Sequence, residues 1–170
     1  MSRAGRVSGL TDPGAKADLQ RYLQAARDAL VWKLEELSDH DVRRPMTPTG
    51  TNLLGLVKHL SHVEAGYFGG AFGRPAPGFP TWSEQQGMAL NWDMWATAEE
   101  SREQIVELYT RAWAHAAATI AALPLETRGQ VPWWDGERGA VSLHRLLIHV
   151  IAETNRHAGH ADIVRDAQKG

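Results

Sequence analysis

Hydrophobic residues recur at every third or fourth position through most of the chain, which is the spacing of amphipathic helices. Capping and breaking residues bound four such patterns: Asp12 and Pro13 to just short of Pro45, Thr51 to the Gly69–Gly70 pair, Thr97 to Pro124, and Ser142 to about Gln168. Thr97 and Glu100 have capping-box spacing at the start of the third pattern. Because no segment shows the period-two alternation of a half-buried strand, the pattern predicts an all-α protein.

Two long connections separate the predicted helices. Residues 73–96 contain three prolines and three tryptophans, and a loop of that length inside a compact domain is often functional. We expect this loop to cross over the helices, with a short helical turn near Trp82. Residues 125–140 form a second loop, in which Trp133 and Trp134 stand beside Asp135 and Gly136. Tryptophans in such loops either cap the ends of a bundle or contact a substrate.

Length and composition exclude several classes of protein. A chain of 170 residues is expected to form one domain, residues 1–170, with residues 1–11 as a flexible N-terminal arm. A net charge of −2 offers no excess positive charge for nucleic acid, and no apolar run reaches the roughly 18 residues of a membrane span. We expect a cytoplasmic location. The chain has no cysteine, so a bound metal must be held by nitrogen and oxygen ligands.

The candidate chemistry lies in the last helix, where His149, Glu153, His157 and His160 recur at spacings of four, four and three residues. Helical angles place His157 within roughly 40° of the apolar direction of this helix and Glu153 within about 80°. The same geometry makes His59 the inward candidate of the second helix. Together, His59, Glu153 and His157 make three ligands, which is how a catalytic metal keeps one position open for water or substrate.

Each of these residues also has an ordinary structural interpretation. An inward histidine such as His59 is usually hydrogen-bonded in the core, and Glu153 could simply pair with Arg156 on the helix surface. Glu64 lies near the middle of the apolar face of the second helix. Two interpretations of Glu64 are open: it orients a ligand imidazole, or it forms a salt bridge with an arginine from another helix.

The chain resembles the DinB-like metalloprotein superfamily, in the actinobacterial branch near mycothiol-dependent maleylpyruvate isomerase and the mycothiol and bacillithiol S-transferases. Three segments carry the resemblance, of which the last is the most specific: LVWKLEELSDHDVRRPMTPTGTNLLGLVKHLSHVEAGYFGGAFGRP, VPWWDGERGAVSLHRLLIHVIAET and ETNRHAGHADIVRD. The resemblance implies an antiparallel four-helix bundle with a long crossover after the second helix. It also implies a divalent metal, commonly zinc or nickel, and often a homodimer.

The family's metal ligands fall on three residues of this chain. The histidine that precedes leucine in VKHLSHVE is His59, and the pair from the last helix is Glu153 and His157. Many relatives have three histidines, so Glu153 departs from that pattern and is similar to the isomerase branch. His160 stands where many relatives have glutamine, where it could hydrogen-bond a water on the metal.

These features suggest a metal-dependent S-transferase that presents a low-molecular-weight thiol such as mycothiol to an electrophilic substrate. His160 and Glu64 are the additional catalytic candidates. The substrate-binding candidates are Arg74, Trp82, Trp92, Trp133 and Trp134. Two other functions fit the same residues: a metal-dependent hydrolase in which His160 or His62 moves protons, and a metal-binding bundle without catalysis.

Overall fold

The computed structural model describes residues 13–134 and 139–169. The predicted N-terminal arm, the predicted helix start at Asp12, and Asp135 and Gly136 lie outside these ranges. The helices are α1 (Pro13–Trp32), α2 (Asp39–Arg43), α3 (Leu53–Glu64), α4 (Trp82–Gln85), α5 (Arg102–Ala122) and α6 (Leu143–Lys169). A π-helical turn (Ala65–Gly69) and a 3-10 turn (Gly70–Phe72) extend α3, and the strands are β1 (Arg128–Gln130) and β2 (Ala140–Ser142).

The protein is mostly helical, which is compatible with the predicted all-α class. The short helix α4 confirms the helical turn expected near Trp82 within the connection from α3 to α5. Among the described helices, none combines the length and the apolarity that a membrane span requires.

Polar side chains cap the N-termini of α3, α5 and α6, which can be compared with the predicted starts. The Asn52 side chain accepts a hydrogen bond from Gly55 N at 2.7 Å, so Asn52 caps α3, one residue after the predicted start near Thr51. The prediction for α5 was wrong by four residues, because Ser101 and Gln104 form the complete capping box and Thr97 does not. The predicted cap of α6 is confirmed, since Ser142 Oγ accepts from Arg145 N at 3.2 Å.

The first predicted helix is divided into two. Helix α1 ends at Trp32, and Glu36 adopts a left-handed backbone with φ of 62°. Ser38 then starts the short helix α2 by accepting a hydrogen bond from Asp41 N. Leu34 and Val42 remain buried although the helix is broken, so the apolar period continues through a segment that is not one helix.

The structure contains a sheet that the sequence pattern missed. Strands β1 and β2 pair antiparallel, with Gly129 opposite Val141. Strands of three residues are too short to show period-two alternation, and Val141 is the one buried side chain in the pair. The ribbon can pack on the 3-10 turn because Gly129 has no side chain: a Cβ there would lie 2.6 Å from Ala71 O.

Contacts between helix ends give the directions of the long helices. The C-terminal ends of α1 and α6 meet, since Arg165 Nη1 donates to Trp32 O at 3.1 Å. Lys16, near the start of α1, donates to Leu123 O at the end of α5 at 2.8 Å. Helices α1 and α6 therefore run the same way, opposite to α5. Helix α3 packs against both α5 and α6, and the core fills the space between these helices.

Candidate functional site

Two of the predicted imidazoles meet where α3 packs against α6. The rings of His59 and His157 have centroids 4.8 Å apart, with an angle of 67° between their planes. The packing that brings them together is apolar: Leu56 and Leu60 of α3 share a core cluster with Ala158 and Ala161 of α6. Helical periodicity on each element, together with the helix pairing, therefore places these two rings side by side.

Glu153 lies beside this pair of rings, one helical turn before His157. Its Oε2 atom is 3.7 Å from His157 Nε2. The same carboxylate forms an ion pair with Arg156, whose side chain is exposed. The structure therefore shows the surface pair with Arg156 and also places the carboxylate close to the imidazole of His157, and the role of Glu153 as a metal ligand stays a prediction.

A fourth polar side chain, Asp93, was not found by sequence reasoning. His59 Nδ1 lies 2.7 Å from Asp93 Oδ2. Burial acts to raise the pKa of Asp93, but the hydrogen bond and the charge of His59 outweigh it and lower the pKa. An ionised carboxylate only accepts, so Nδ1 of His59 is the donor, and in the neutral ring Nε2 carries the free lone pair.

The connection from α3 to α5, here called the crossover, packs closely on α3 and holds Asp93 in position. A Cβ on Gly55 would overlap Met94 O and the backbone of Trp95, so only glycine allows the two segments to approach this closely. Lys58 Nζ, also on α3, donates to Trp92 O at 3.4 Å. The loop sequence around Asp93 has no period that could have predicted this contact.

The imidazole of His157 is buried without a hydrogen-bond partner on either nitrogen. Burial, followed by the positive charges of His59, Arg156 and His160, lowers the pKa of His157 to about 3. The ring is therefore neutral at physiological pH, with a lone pair available. A buried polar group without a partner is costly, so this ring requires an explanation.

Within residues 13–134 and 139–169, no three His, Asp or Glu side chains are arranged so that they could hold a metal ion. His59, Glu153 and His157 are brought together, but they do not close around one point. The predicted metal site therefore stays a prediction, supported by the unpartnered nitrogens of His157.

The other histidines of the two helices surround this centre. The exposed ring of His160 lies 5.2 Å from that of His157, measured between centroids. His62 is enclosed by Trp92 and Phe79, with centroids at 4.5 and 5.5 Å, and burial lowers its pKa to about 4. The prediction that His59 is the inward histidine of α3 was wrong in part, because His62 is the more buried of the two.

Glu64, the second catalytic candidate, is fully buried and pairs with an arginine from another helix. Arg27 of α1 donates from Nε to Glu64 Oε1 at 2.9 Å and from Nη2 to Oε2. Burial raises the pKa of Glu64, although the hydrogen bond and charge of Arg27 act in the opposite direction. Of the two interpretations left open by the sequence, the structure shows the salt bridge.

Three of the predicted substrate-binding tryptophans form one aromatic cluster with Tyr67. The ring of Tyr67 lies 6.5 Å from Trp82 and 6.0 Å from both Trp133 and Trp134, between centroids. His149 of α6 joins the cluster at 4.9 Å from Tyr67. Tyr67 was missed as a candidate because its position fits the apolar period of the second predicted helix.

The two remaining candidates lie elsewhere. Trp92 packs on His62. Among the ring pairs of the described residues, none joins Trp92 to the other three tryptophans. Arg74 is held by α5, because its Nε donates to Thr119 Oγ1 at 3.3 Å and its carbonyl lies 2.7 Å from His115 Nε2. The structure therefore does not bring Arg74 into the aromatic cluster.

The fold and this site define a mostly helical protein with histidine and carboxylate side chains converging from α3, the crossover and α6. The family model described as mycothiol-S-transferase matches residues 18–170, so the chain belongs to the mycothiol-S-transferase family. This match confirms the family resemblance found from the sequence. No curated protein and no solved structure shows significant similarity to the chain.

Proposed function

We propose that this protein is a metal-dependent S-transferase that joins a mycothiol-type thiol to an electrophilic substrate. The family match supports the thiol and the transfer reaction. The observation that best supports a bound metal is the buried imidazole of His157, which has no hydrogen-bond partner on either nitrogen and lies beside the ring of His59. In this proposal the long helices α1, α3, α5 and α6 form the DinB-like four-helix bundle, and the connection after α3 is its crossover.

The donor types present suit a divalent cation, and in this proposal His59, Glu153 and His157 would move together to hold it. Two neutral imidazoles and one carboxylate are ligands that zinc and nickel accept, and they would leave a position open. Asp93 would hold the ring of His59 so that Nε2 faces the ion. Glu153 would bind the same cation from α6, one turn before His157.

The chemistry that a bound divalent cation supplies here is Lewis acidity, which lowers the pKa of a thiol. The thiol sulfur then attacks the electrophile, an S–C bond forms, and with an alkyl or aryl halide the chloride leaves. We assign the exposed ring of His160 as the group that accepts the thiol proton and passes it to water. The protein needs no cysteine of its own, because the nucleophile arrives with the cosubstrate.

Conjugation of mycothiol to chlorodinitrobenzene tests the proposal directly. The protein loaded with zinc or nickel should form the conjugate faster than the thiol alone, and His157→Ala should lose both the metal and the added rate. His144→Ala is the matched control, because His144 is an exposed histidine on the same helix.

Three results would contradict the proposal. They are no conjugation above the thiol-alone rate, full activity of the chelated protein, and metal retention by His157→Ala. Ester hydrolysis without conjugation would instead favour the hydrolase, and bound metal with no turnover would favour the non-catalytic protein. Native mass spectrometry of the same sample would test the homodimer.

A further inference from the structure

A pocket of about 390 Å³ opens beside the π-helical turn that follows α3. Its lining includes Gly66 of that turn, Gly70 of the 3-10 turn that follows, Phe79 and Trp82 of the crossover, and Pro132 from the second loop. The volume falls within the range of small-molecule sites, which is about 300–1,000 Å³. A π-helical turn is uncommon and is often found at functional sites.

None of the described residues that line this pocket has an ionisable side chain. Its two hydroxyls, on Thr81 and Ser83, are already engaged. Thr81 Oγ1 donates to Glu84 Oε2 at 2.7 Å in the capping box of α4, and Ser83 Oγ lies 3.1 Å from Thr81 Oγ1. A charged ligand group would lose hydration here without compensation, so the wall favours a neutral, apolar ligand.

Gly66 lets the indole of Trp82 lie directly on the backbone at this turn, whereas the nearby Gly70 does not limit the position of the ring. A Cβ on Gly66 would lie 2.5 Å from Trp82 Nε1, which is too close for the ring to keep its position. A Cβ on Gly70 would lie 3.5 Å from Trp82 Cε2, an ordinary van der Waals distance. The same substitution at these two positions should therefore move Trp82 in one case only.

Aromatic contacts connect the pocket to the candidate metal centre. Phe79 contacts the ring of His62, which lies one turn after His59 on α3. On the other side, Trp82 contacts Tyr67, and Tyr67 contacts His149, one turn before Glu153 on α6. Ring contacts therefore link the pocket to both helices that supply the proposed ligands.

We propose that this pocket binds the neutral aromatic part of the electrophile, against the indole of Trp82. The identity of the ligand as the electrophile rests on the proposed function; binding of a neutral aromatic molecule does not. Gly66 then acts as a specificity-determining residue, because it sets the position of the Trp82 wall.

Calorimetric titration of the protein with naphthalenemethanol and with naphthoate, in the absence of thiol, tests the pocket alone. The two ligands share a ring system and differ in charge. We expect the neutral ligand to bind about ten-fold more tightly or better. Gly66→Ala should weaken its binding by about ten-fold, and Gly70→Ala should leave it within about two-fold.

A second variant tests the pocket independently, in case Gly66→Ala misfolds. Ser83 is exposed at the rim, so Ser83→Phe should fill the pocket, abolish naphthalenemethanol binding and leave the circular dichroism melt unchanged. Equal binding of the two ligands, or unchanged binding in both Gly66→Ala and Ser83→Phe, would overturn the pocket assignment. If the protein binds naphthalenemethanol but does not conjugate mycothiol, the proposed function fails and the pocket survives.

In the conjugation assay, Gly66→Ala should raise the KM for chlorodinitrobenzene several-fold and leave the KM for mycothiol unchanged. A rise in the KM for mycothiol instead would contradict the assignment of this pocket to the electrophile. Gly70→Ala serves as the control in the same assay.

Discussion

His59 Nδ1 and Asp93 Oδ2 lie 2.7 Å apart, although 34 residues separate them in the chain. The hydrogen bond joins α3 to the crossover and selects one tautomer of the imidazole, because an ionised carboxylate accepts and never donates. The nitrogen left free is Nε2. A histidine that binds a metal commonly has such a carboxylate on its second nitrogen, which fixes the ring orientation and raises its basicity.

Asp93→Asn should weaken zinc or nickel binding by about 10–100-fold, because the amide no longer offers two anionic acceptor oxygens to His59. Competition with a chromogenic chelator measures this change, and nitrogen NMR of the His59 ring reports the tautomer without metal. Asp28→Asn, at an exposed aspartate of α1, should change neither measurement. An unaltered metal affinity in Asp93→Asn would remove Asp93 from any positioning role.

Glycine-to-alanine substitution should have opposite effects at two helical positions. In Gly55→Ala the added Cβ meets the backbone of Met94, so the crossover must move, and we expect a loss of about 2 kcal/mol or more. In Gly159→Ala the added Cβ meets nothing within 4 Å, and the higher helix propensity of alanine should stabilise by up to about 1 kcal/mol. Urea unfolding of both variants measures the free energy of unfolding. Equal effects at the two sites would contradict the close packing at Gly55.

Breaking the buried ion pair between Arg27 and Glu64 should be costly. Glu64→Leu leaves Arg27 buried and unpaired, and we expect a loss of about 3–5 kcal/mol in the free energy of unfolding. The double variant Arg27→Leu with Glu64→Leu should be more stable than the sum of the two single losses predicts. The pair of Arg21 and Asp18, which is exposed on both sides, is the control, with a coupling energy of about 0–1 kcal/mol.

This cycle also addresses the catalytic candidacy of Glu64. If the double variant folds and retains mycothiol conjugation, the carboxylate of Glu64 serves stability alone. If it folds normally, binds metal and loses conjugation, the salt-bridge interpretation is insufficient.

The buried ring of His62 should make the protein less stable in mild acid. Burial lowers the pKa of His62 to about 4, from 6.5 in the unfolded chain. The unfolded state therefore binds the proton first, and stability is lost as pH falls from about 6.5 to about 4. The loss attributable to this ring is on the order of 2–3 kcal/mol.

Urea unfolding of the metal-free protein at pH values from 7 to 4 measures this effect. His62→Gln, which cannot titrate, should show a shallower decline than the wild type. His144→Gln, at an exposed position, should follow the wild-type curve. A decline of the same depth in His62→Gln would show that His62 does not contribute.

Much of the candidate site could be predicted because its residues lie on long helices. The apolar period of α6 places Glu153 and His157 on the inner side of that helix. The same argument places His59 on the inner side of α3. The structure brings these three residues together, as the periodicity requires. Arg74 and Trp92 could not be placed in this way, because they lie in a connection that has no period.

The sequence by itself determined the approximate extents of the long helices, which of their faces are apolar, and that Glu153 and His157 lie on the inner side of α6, since each depends on neighbours within one or two turns. Tertiary structure alone decided that Asp93 reaches His59, that Arg27 pairs with Glu64, and that Trp82 rests on Gly66. These contacts join segments distant in the chain. They depend on how the crossover and the helices pack, and no local spacing encodes that packing.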